Sequence, residues 1–376
     1  MRGAGRRRVV ARRAHLAAST ALSALAALAA LSAAGCSDKA GPEVPPPPRV
    51  LAIAASPRTT PPPTADDFIA AVDSVVSAGA RAQSLMFTWS SLEPSRGTYE
   101  VAEFAFTVVY LGYDRELYLS LNVAPINTTE KEVPADLAAV PFDSSAMQDR
   151  FRALIDVFAP HVSDQVLHLT IGNEVDVYLA ETNEWSAYRA FYEDAAAYVR
   201  EKLDHVKVGV CVTHTGATGP FADSIAALNA TSDVWVTTFY PLGAGFRPTG
   251  PDAATAALPE MVALAGGRPV VVQEIGYPSS IALESSDAEQ AAFFANAFDA
   301  WGAAGGAIPF LSVFALHDFP TATCDELAAY YGLPDDAAFK AFLCSLGLLR
   351  VDGTAKDAWQ VVKDGAAEAL ASGKGP

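Results

Sequence analysis

The sequence is poor in the side chains that bind metals and redox centres. Its 376 residues include only four cysteines and six histidines, and no spacing among them resembles a zinc or iron–sulfur site. Positive charge is also scarce, because 26 lysines and arginines stand against 43 acidic residues and give a formal net charge of −17. We therefore predict no metal, no cofactor and no nucleic-acid partner, and expect a neutral ligand.

One long apolar run stands at the N-terminus. Six arginines precede an uncharged stretch from Leu16 to Gly35, and Cys36 with polar residues follows. This order predicts an export signal over residues 1–35. The Gly-Cys junction resembles the lipobox of bacterial lipoproteins, which implies that Cys36 is lipidated. An uncleaved signal anchor is the alternative, since about twenty apolar residues can also span a bilayer.

Proline is concentrated immediately after this signal. Five prolines between Gly41 and Arg49 predict a stiff, extended tether over residues 36–49. Loss of the six N-terminal arginines would lower the formal charge from −17 to −23. We expect an exported monomer on the bacterial cell envelope, extracellular or periplasmic, which touches the membrane only through a lipid at Cys36.

From residue 50 onward, short apolar runs alternate with longer helical patterns. The predicted strands are 50–56, 82–88, 116–124, 166–173, 207–213, 234–240, 269–275 and 308–316. The predicted helices are 64–79, 100–111, 145–160, 185–204, 221–228, 253–265, 287–304 and 355–371. Strands that are apolar at nearly every position are typical of parallel sheets buried on both faces. Eight repeats predict a single α/β domain over 50–376, a (β/α)8 TIM barrel, rather than an open doubly wound sheet.

Two of the predicted strands end on a glutamate. The fourth strand runs into Asn173 and Glu174, and the seventh runs into Glu274. Parallel barrels build their sites at the C-terminal ends of strands, so both carboxylates are expected at the barrel mouth. A pair of carboxylates, one kept protonated and one ionised, is what glycosidic bond hydrolysis requires.

Further polar and aromatic side chains follow the same strand ends. Tyr240 is predicted to donate its hydroxyl to one carboxylate, and Asn173 to hold a sugar hydroxyl. The other predicted substrate contacts are Trp89, His214, Tyr277, His317 and Asp318. An alternative stays open for each histidine. His214 caps a loop instead of binding a sugar, and His317 with Asp318 forms a structural pair that holds the last loop.

These motifs resemble the clan A glycoside hydrolases, a group of retaining (β/α)8 glycosidases. The group places Asn-Glu after strand 4 and a second Glu after strand 7. The resemblance implies Glu174 as acid/base, Glu274 as nucleophile and Tyr240 as the residue that orients the nucleophile. The segment 89–99 is also similar to the W-x-x-x-E-P-x-x-G-x-Y stretch of this clan, and the resemblance covers about residues 50–362.

One departure from the clan lies after strand 8. Many members have a tryptophan beneath the sugar there, but this chain has the run from Phe314 to Phe319. An aromatic platform is therefore expected from Trp89, Tyr277 or Phe319.

The sequence predicts a retaining β-glycosidase that hydrolyses a β-linked poly- or oligosaccharide with two glutamates. The alternative is an inactive glycan-binding surface lipoprotein with the same barrel, and a third reading is transglycosylation. Intact Glu174, Glu274 and Tyr240 favour the enzyme. The sugar and the choice between endo and exo action stay open, as does a disulfide between Cys324 and Cys344, which export would permit.

Overall fold

The computed structural model describes residues 49–59 and 62–372. The predicted signal, Cys36 and the tether up to residue 48 lie outside these residues. Across the part of the chain that the structure covers, no helix is both long enough and apolar enough to span a bilayer.

Eight parallel strands form the barrel. They are β1 Val50–Ile53, β2 Ala82–Thr88, β3 Tyr118–Asn127, β4 Val166–Asn173, β5 in two parts (Lys207–Gly209 and Cys211–Thr213), β6 Trp235–Phe239, β7 Val270–Ile275 and β8 Phe310–Val313. The first part of β5 pairs with β4 and the second with β6. The pairing of β1 with β8 closes the ring. A two-residue antiparallel strand, Glu130–Lys131, returns along the end of β3.

A helix follows each strand and packs outside the ring. These are α1 Ala65–Ser77, α2 Val101–Val109, α3 Ser145–Phe158, α4 Trp185–Lys202, α5 Ala222–Leu228, α6 Ala253–Leu264, α7 Asp287–Ala304 and α8 Asp357–Ser372. Shorter helices occupy the loops at Trp89–Leu92, Val175–Thr182, His214–Ala217, Thr321–Tyr330 and Ala337–Leu343. The predicted (β/α)8 barrel is confirmed, although β1 and β8 end three residues earlier than their apolar runs.

Local sequence explains where several helices begin. Thr64 and Asp67 form a reciprocal capping box at the start of α1, and the Ser286 hydroxyl caps α7. These caps satisfy backbone N–H groups that have no partner within the helix.

The barrel has an apolar floor and a polar mouth. The floor is a buried cluster of small and branched inward-facing side chains: Val50, Ala52, Ala82, Cys211, Val234, Val236, Val271 and Phe310. A larger cluster fills the layer between the strands and the helices. The inward positions nearer the strand ends carry polar groups, among them Asn122, Thr170, Thr238 and Gln273, which are all buried. The chemistry of the chain is therefore concentrated at the mouth.

Candidate active site

Glu174 leaves the end of β4 through a tight left-handed turn. Gly172 has φ +92° and Glu174 itself has φ 45° and ψ 42°. A Cβ at Gly172 would lie 2.3 Å from the Tyr188 hydroxyl, so only glycine fits there. The turn brings both carboxylate oxygens of Glu174 onto hydroxyl donors, Thr238 Oγ1 at 2.7 Å and Thr128 Oγ1 at 2.8 Å. Glu174 is thus fixed by residues from the β3 loop and β6.

Glu274 is turned into the mouth by an irregularity in β7. Against β6, the register steps from Val272 directly to Glu274, which leaves Gln273 without a paired residue. Such a bulge re-aims side chains beside a site. Glu274 accepts a hydrogen bond of 2.7 Å from the Tyr240 hydroxyl, so the predicted contact between tyrosine and carboxylate is present.

A chain of buried amides connects the two halves of the mouth. Gln273 Nε2 donates to Asn173 Oδ1 at 2.7 Å, and Asn173 Nδ2 donates to Asn127 Oδ1 at 3.0 Å. Asn122 Nδ2 donates to Gln273 Oε1 at 3.1 Å. Asn173 is therefore engaged with protein groups on both sides of its amide, and these bonds fix the strand ends on which the glutamates stand.

The two carboxylates influence each other electrostatically. Burial and, secondly, the negative charge of Glu174 raise the pKa of the Glu274 carboxyl to about 8, and the hydrogen bond from Tyr240 opposes both effects. Burial and the charge on Glu274 also raise the pKa of the Tyr240 hydroxyl well above its usual value, so Tyr240 stays a donor.

Two predicted aromatic contacts are core residues instead. Trp89 is fully buried, donates its indole N–H to Glu93 at 3.1 Å, and packs edge-on against Phe151. Tyr277 is 1% exposed and stacks on Phe293 of α7, with ring centroids 4.8 Å apart. The prediction that these rings contact substrate is wrong, because neither has a face that a sugar could reach.

His214 also lies away from the carboxylates. Its ring packs edge-on against Phe239, and its Nε2 atom is 3.1 Å from Glu260 on α6. Burial lowers its pKa, and the neighbouring Glu260 opposes that shift. The contact with the outer helix layer corrects the predicted sugar contact and leaves the loop-capping alternative.

His317 and Asp318 form the structural connections that were the alternative to substrate binding. His317 Nδ1 lies 2.7 Å from the Ser56 carbonyl and therefore donates to it. Asp318 pairs at 2.7 Å with the Lys356 ammonium, which is only 2% exposed. Asp318 and Lys356 line an open depression of about 820 Å³ outside the group of Glu174 and Glu274. Both side chains are partly exposed, so substrate contact by His317 and Asp318 stays a prediction beside these structural contacts.

The structure brings together Glu174, Glu274, Tyr240 and Asn173, and it adds residues that the sequence reasoning missed. Thr238 stands two residues before Tyr240 on β6, so strand alternation alone could have placed it at the mouth. Thr128 and Tyr331 lie in loops, where no periodic signal exists. Burial and the charges of Glu174 and Glu274 raise the pKa of Tyr331.

Among residues 49–59 and 62–372, no group of three or more histidine, cysteine, aspartate or glutamate side chains is arranged to hold a metal ion. No protein-family model matches the chain, and no curated protein matches it.

Many solved structures share the fold. A GH5_18 protein from Streptomyces cattleya in complex with GlcNAc has a TM-score of 0.69 at 15% identity, covering 87% of this chain and 81% of its own. A GH5_18 protein from Bifidobacterium longum subsp. longum has a TM-score of 0.66 at 17% identity, covering 85% and 79%. The exo-beta-1,4-mannosidase Op5Man5 from Opitutaceae bacterium strain TAV5 gives 0.63 at 18% identity, covering 86% and 60%. The chain therefore shares the (β/α)8 fold of these glycoside hydrolases.

Proposed function

We propose that the protein is a retaining β-glycosidase that uses Glu174 as acid/base and Glu274 as nucleophile. The observation that carries this proposal is the pair of carboxylates at the ends of β4 and β7, in which Thr238 of β6 donates to Glu174 and Tyr240, directly after β6, donates to Glu274. Two carboxyls at the mouth of a barrel, one protonated and one ionised, can supply both the acid and the nucleophile of glycoside hydrolysis.

In the first step, Glu274 attacks the anomeric carbon while Glu174 gives its proton to the departing glycosidic oxygen. The C–O bond to the leaving sugar breaks, and a covalent glycosyl ester forms on Glu274. In the second step, Glu174 takes a proton from water, the water oxygen attacks the anomeric carbon, and Glu274 leaves as a carboxylate. Each displacement inverts the configuration at the anomeric carbon, so the two together retain it.

The hydrogen bonds favour this division of roles. The Tyr240 hydroxyl stabilises the ionised form of Glu274 and opposes the rise of its pKa, which suits a nucleophile. Thr238 can donate to an ionised Glu174 and can equally accept from a protonated one, which suits a residue that alternates between acid and base.

The substrate class is proposed from the structural neighbours. A neighbouring GH5_18 variant was solved in complex with Manb1-4GlcNAc, and Op5Man5 is an exo-beta-1,4-mannosidase. These names support β-1,4-linked mannosides as the first substrates to test, and a neighbouring beta-glucosidase supports β-glucosides as the second.

The location is a separate proposal. We infer an exported monomer that is held on the bacterial envelope by a lipid at Cys36, and the arginine-rich start, the apolar run to Gly35 and the Gly-Cys junction support it. Labelling cells with radioactive palmitate should mark the wild-type protein and leave Cys36→Ser unlabelled. Label on both proteins, or on neither, would count against the anchor.

The catalytic proposal is tested by single carboxylate removals. Glu174→Ala and Glu274→Ala should each lower kcat on 4-nitrophenyl β-mannoside or β-glucoside by at least about 10³-fold. Azide should restore turnover to Glu274→Ala by attacking the anomeric carbon from the vacated face, which gives the α-glycosyl azide. In Glu174→Ala it should displace Glu274 from the glycosyl ester without the help of a general base, which gives the β-glycosyl azide. Glu193→Gln, in an exposed ion pair on α4, is the matched control.

Turnover that survives both removals would overturn the two-glutamate assignment. Saturable binding of manno- or gluco-oligosaccharides without any hydrolysis would favour the glycan-binding alternative. Products longer than the substrate would instead show transglycosylation by the same pair.

A further inference from the structure

The segment between β8 and α8 forms a cap over part of the barrel mouth. This cap, residues 314–356, contains the helices Thr321–Tyr330 and Ala337–Leu343, and the Cys324–Cys344 disulfide that export would permit joins them. A buried apolar cluster beneath the helices continues onto partly buried side chains after β6, such as Leu242 and Phe246. The cap is therefore a packed unit.

The cap also reaches the far side of the mouth. Tyr330, at the end of the first cap helix, donates its hydroxyl to Glu132 Oε1 at 2.6 Å and accepts from Asn127 Nδ2 at 3.1 Å. Glu132 is itself held by the Ser90 hydroxyl. Asn127 ends β3, so the cap spans the mouth from β8 to β3. A long sugar chain cannot lie along the mouth at this point.

The next residue places an aromatic ring beside the reacting groups. Burial and the charges of Glu174 and Glu274 raise the pKa of Tyr331, while the side chains of Thr128 and Asn127 act in the opposite direction. Tyr331 also packs edge-on against Phe339 of the second cap helix, with ring centroids 5.8 Å apart. Its position is therefore fixed by the cap. Phe342 of the second cap helix packs edge-on against Tyr240, with ring centroids 5.4 Å apart, and Tyr240 donates to Glu274, so the cap lies against the catalytic groups.

Space remains under the cap on the side of β1 and β2. Ala82 belongs to the barrel floor, and strand alternation then places Ser84 and Met86 on the inward face of β2. Phe87 points outward onto Phe104 of α2. Met86 is 45% exposed despite its inward position. The inside of the barrel is thus incompletely filled beside the carboxylates.

We propose that the cap closes one end of the site, so that the enzyme removes single sugar residues from the non-reducing end of its substrate. This inference rests on the proposed function. The sugar whose bond breaks lies against Glu274 on β7, and the cap rises from the neighbouring strand β8. The cap therefore blocks further residues on that side of the bond, whereas the leaving chain departs on the side of Glu174. Tyr331 is the residue that ends the pocket.

The test uses β-1,4-mannohexaose and cellohexaose that carry a fluorescent label at the reducing end. With the full-length protein, the closed site should shorten the labelled chain by one residue at a time and release monosaccharide from the first time point. Labelled dimers and trimers that appear early, before the pentamer accumulates, would show internal cleavage and overturn the proposal.

A binding measurement separates the cap from the chemistry. Glu174→Ala should bind the same hexaoses but bind at least about 100-fold more weakly when a 4,6-O-benzylidene group blocks the non-reducing sugar, because the pocket has no room for it. Tyr331→Ala should reduce this difference to under about 10-fold, whereas Tyr113→Ala, an exposed tyrosine after α2, should not. Equal affinity for blocked and unblocked hexaose would overturn the cap proposal alone. Absence of both turnover and binding for both sugars would overturn the proposed function, and the cap proposal with it.

Discussion

The barrel mouth and the cap above it are stabilised in different ways. At the mouth, Glu174 and Glu274 stand at the ends of strands, and short hydrogen bonds from side chains of β6 hold them. The cap depends on an apolar cluster, one disulfide and contacts with residues about 200 positions away in the sequence. Rigid strands suit groups that must be placed within a fraction of an ångström, and a loop can vary its shape without disturbing them.

This difference predicts separate consequences for substitutions in the two regions. Changes at the mouth should alter rate and pH dependence, because they act on the protonation and orientation of the carboxylates. Changes in the cap should alter stability and the preferred substrate length. A variant that alters both sets of properties would show that the two regions are coupled.

The largest effect is expected at the base of the cap. Lys356 donates to Asp318, Ser279 and the Ser345 carbonyl, and so ties the end of the cap to the β7 loop. Lys356→Met should lower the free energy of unfolding by about 3–5 kcal/mol, since it leaves the largely buried Asp318 carboxylate with the Gly347 N–H but without its counter-charge. Urea unfolding at pH 7 measures this change.

The matched control also neutralises Asp318. Lys356→Met combined with Asp318→Asn should recover a large part of the loss, because no buried ion is left unpaired. If the single substitution costs less than about 1 kcal/mol, the pair does not hold the cap base.

The next effect is expected at the nucleophile. Tyr240→Phe should lower kcat by roughly 10²-fold, because Glu274 loses the donor that stabilises its charge and fixes its orientation. The hydroxyl opposes the rise in the pKa of Glu274, which stands at about 8, so its loss should move the acidic limb of kcat/KM, which reports ionisation of the nucleophile, to higher pH.

A pH–rate profile of the wild type and Tyr240→Phe decides this point. A limb that stays in place or moves to lower pH would show that Tyr240 does not control the carboxylate pair. Tyr178→Phe removes a hydroxyl bonded to Glu184 outside the carboxylate pair and should leave the limb where it is.

These two regions also differ in what sequence could predict. Glu174, Glu274 and Tyr240 follow apolar runs, so counting strands was enough to bring them to one end of a barrel. Trp89 follows β2 and Tyr277 follows β7, but both point outward into the helix layer. Thr88, the last residue of β2, faces into the barrel, and Trp89 directly after it faces the helix layer. A shift of one position along the chain therefore decides whether a side chain lies at the mouth or in the core.

The irregular features were harder to predict. The bulge that turns both Gln273 and Glu274 inward has no recognisable composition, because it arises from how β7 pairs with its neighbours. Tyr330 ends the first cap helix and Tyr331 follows it, and the position of Tyr330 depends on contacts with Asn127 and Glu132, about 200 residues earlier. No local pattern encodes such contacts.

A smaller effect on stability is expected from the same carboxylate that carries the chemistry. The pKa of Glu274 in the folded protein, about 8, exceeds its unfolded value of roughly 4.3. The folded state therefore favours the protonated form, and stability is lost as pH rises between these two values. Glu274→Gln removes the ionisation and should stabilise the protein by about 2 kcal/mol at pH 7.5.

The sign of this effect can be checked by unfolding both proteins in urea at two pH values. The advantage of Glu274→Gln should be close to zero at pH 4 and should grow toward pH 7.5. An advantage that is the same at both pH values would come from packing, not from the raised pKa.

The smallest effect is expected at the acid/base. Thr238 donates to Glu174 Oε1 at 2.7 Å, and Thr128 donates to the other oxygen at 2.8 Å. Loss of one hydroxyl therefore leaves only one carboxylate oxygen of Glu174 hydrogen-bonded. Thr238→Val should lower kcat by about 10-fold, because it misorients the acid while it keeps the size and branching of the side chain. Thr238→Ser keeps the hydroxyl and should stay within about 3-fold of the wild type.

Aryl glycosides with good leaving groups sharpen the measurement, since the departure of the leaving group needs little help from an acid. The defect of Thr238→Val should therefore be larger on an unactivated disaccharide than on a 4-nitrophenyl glycoside, and equal defects on both would show that Thr238 acts on some step other than proton transfer.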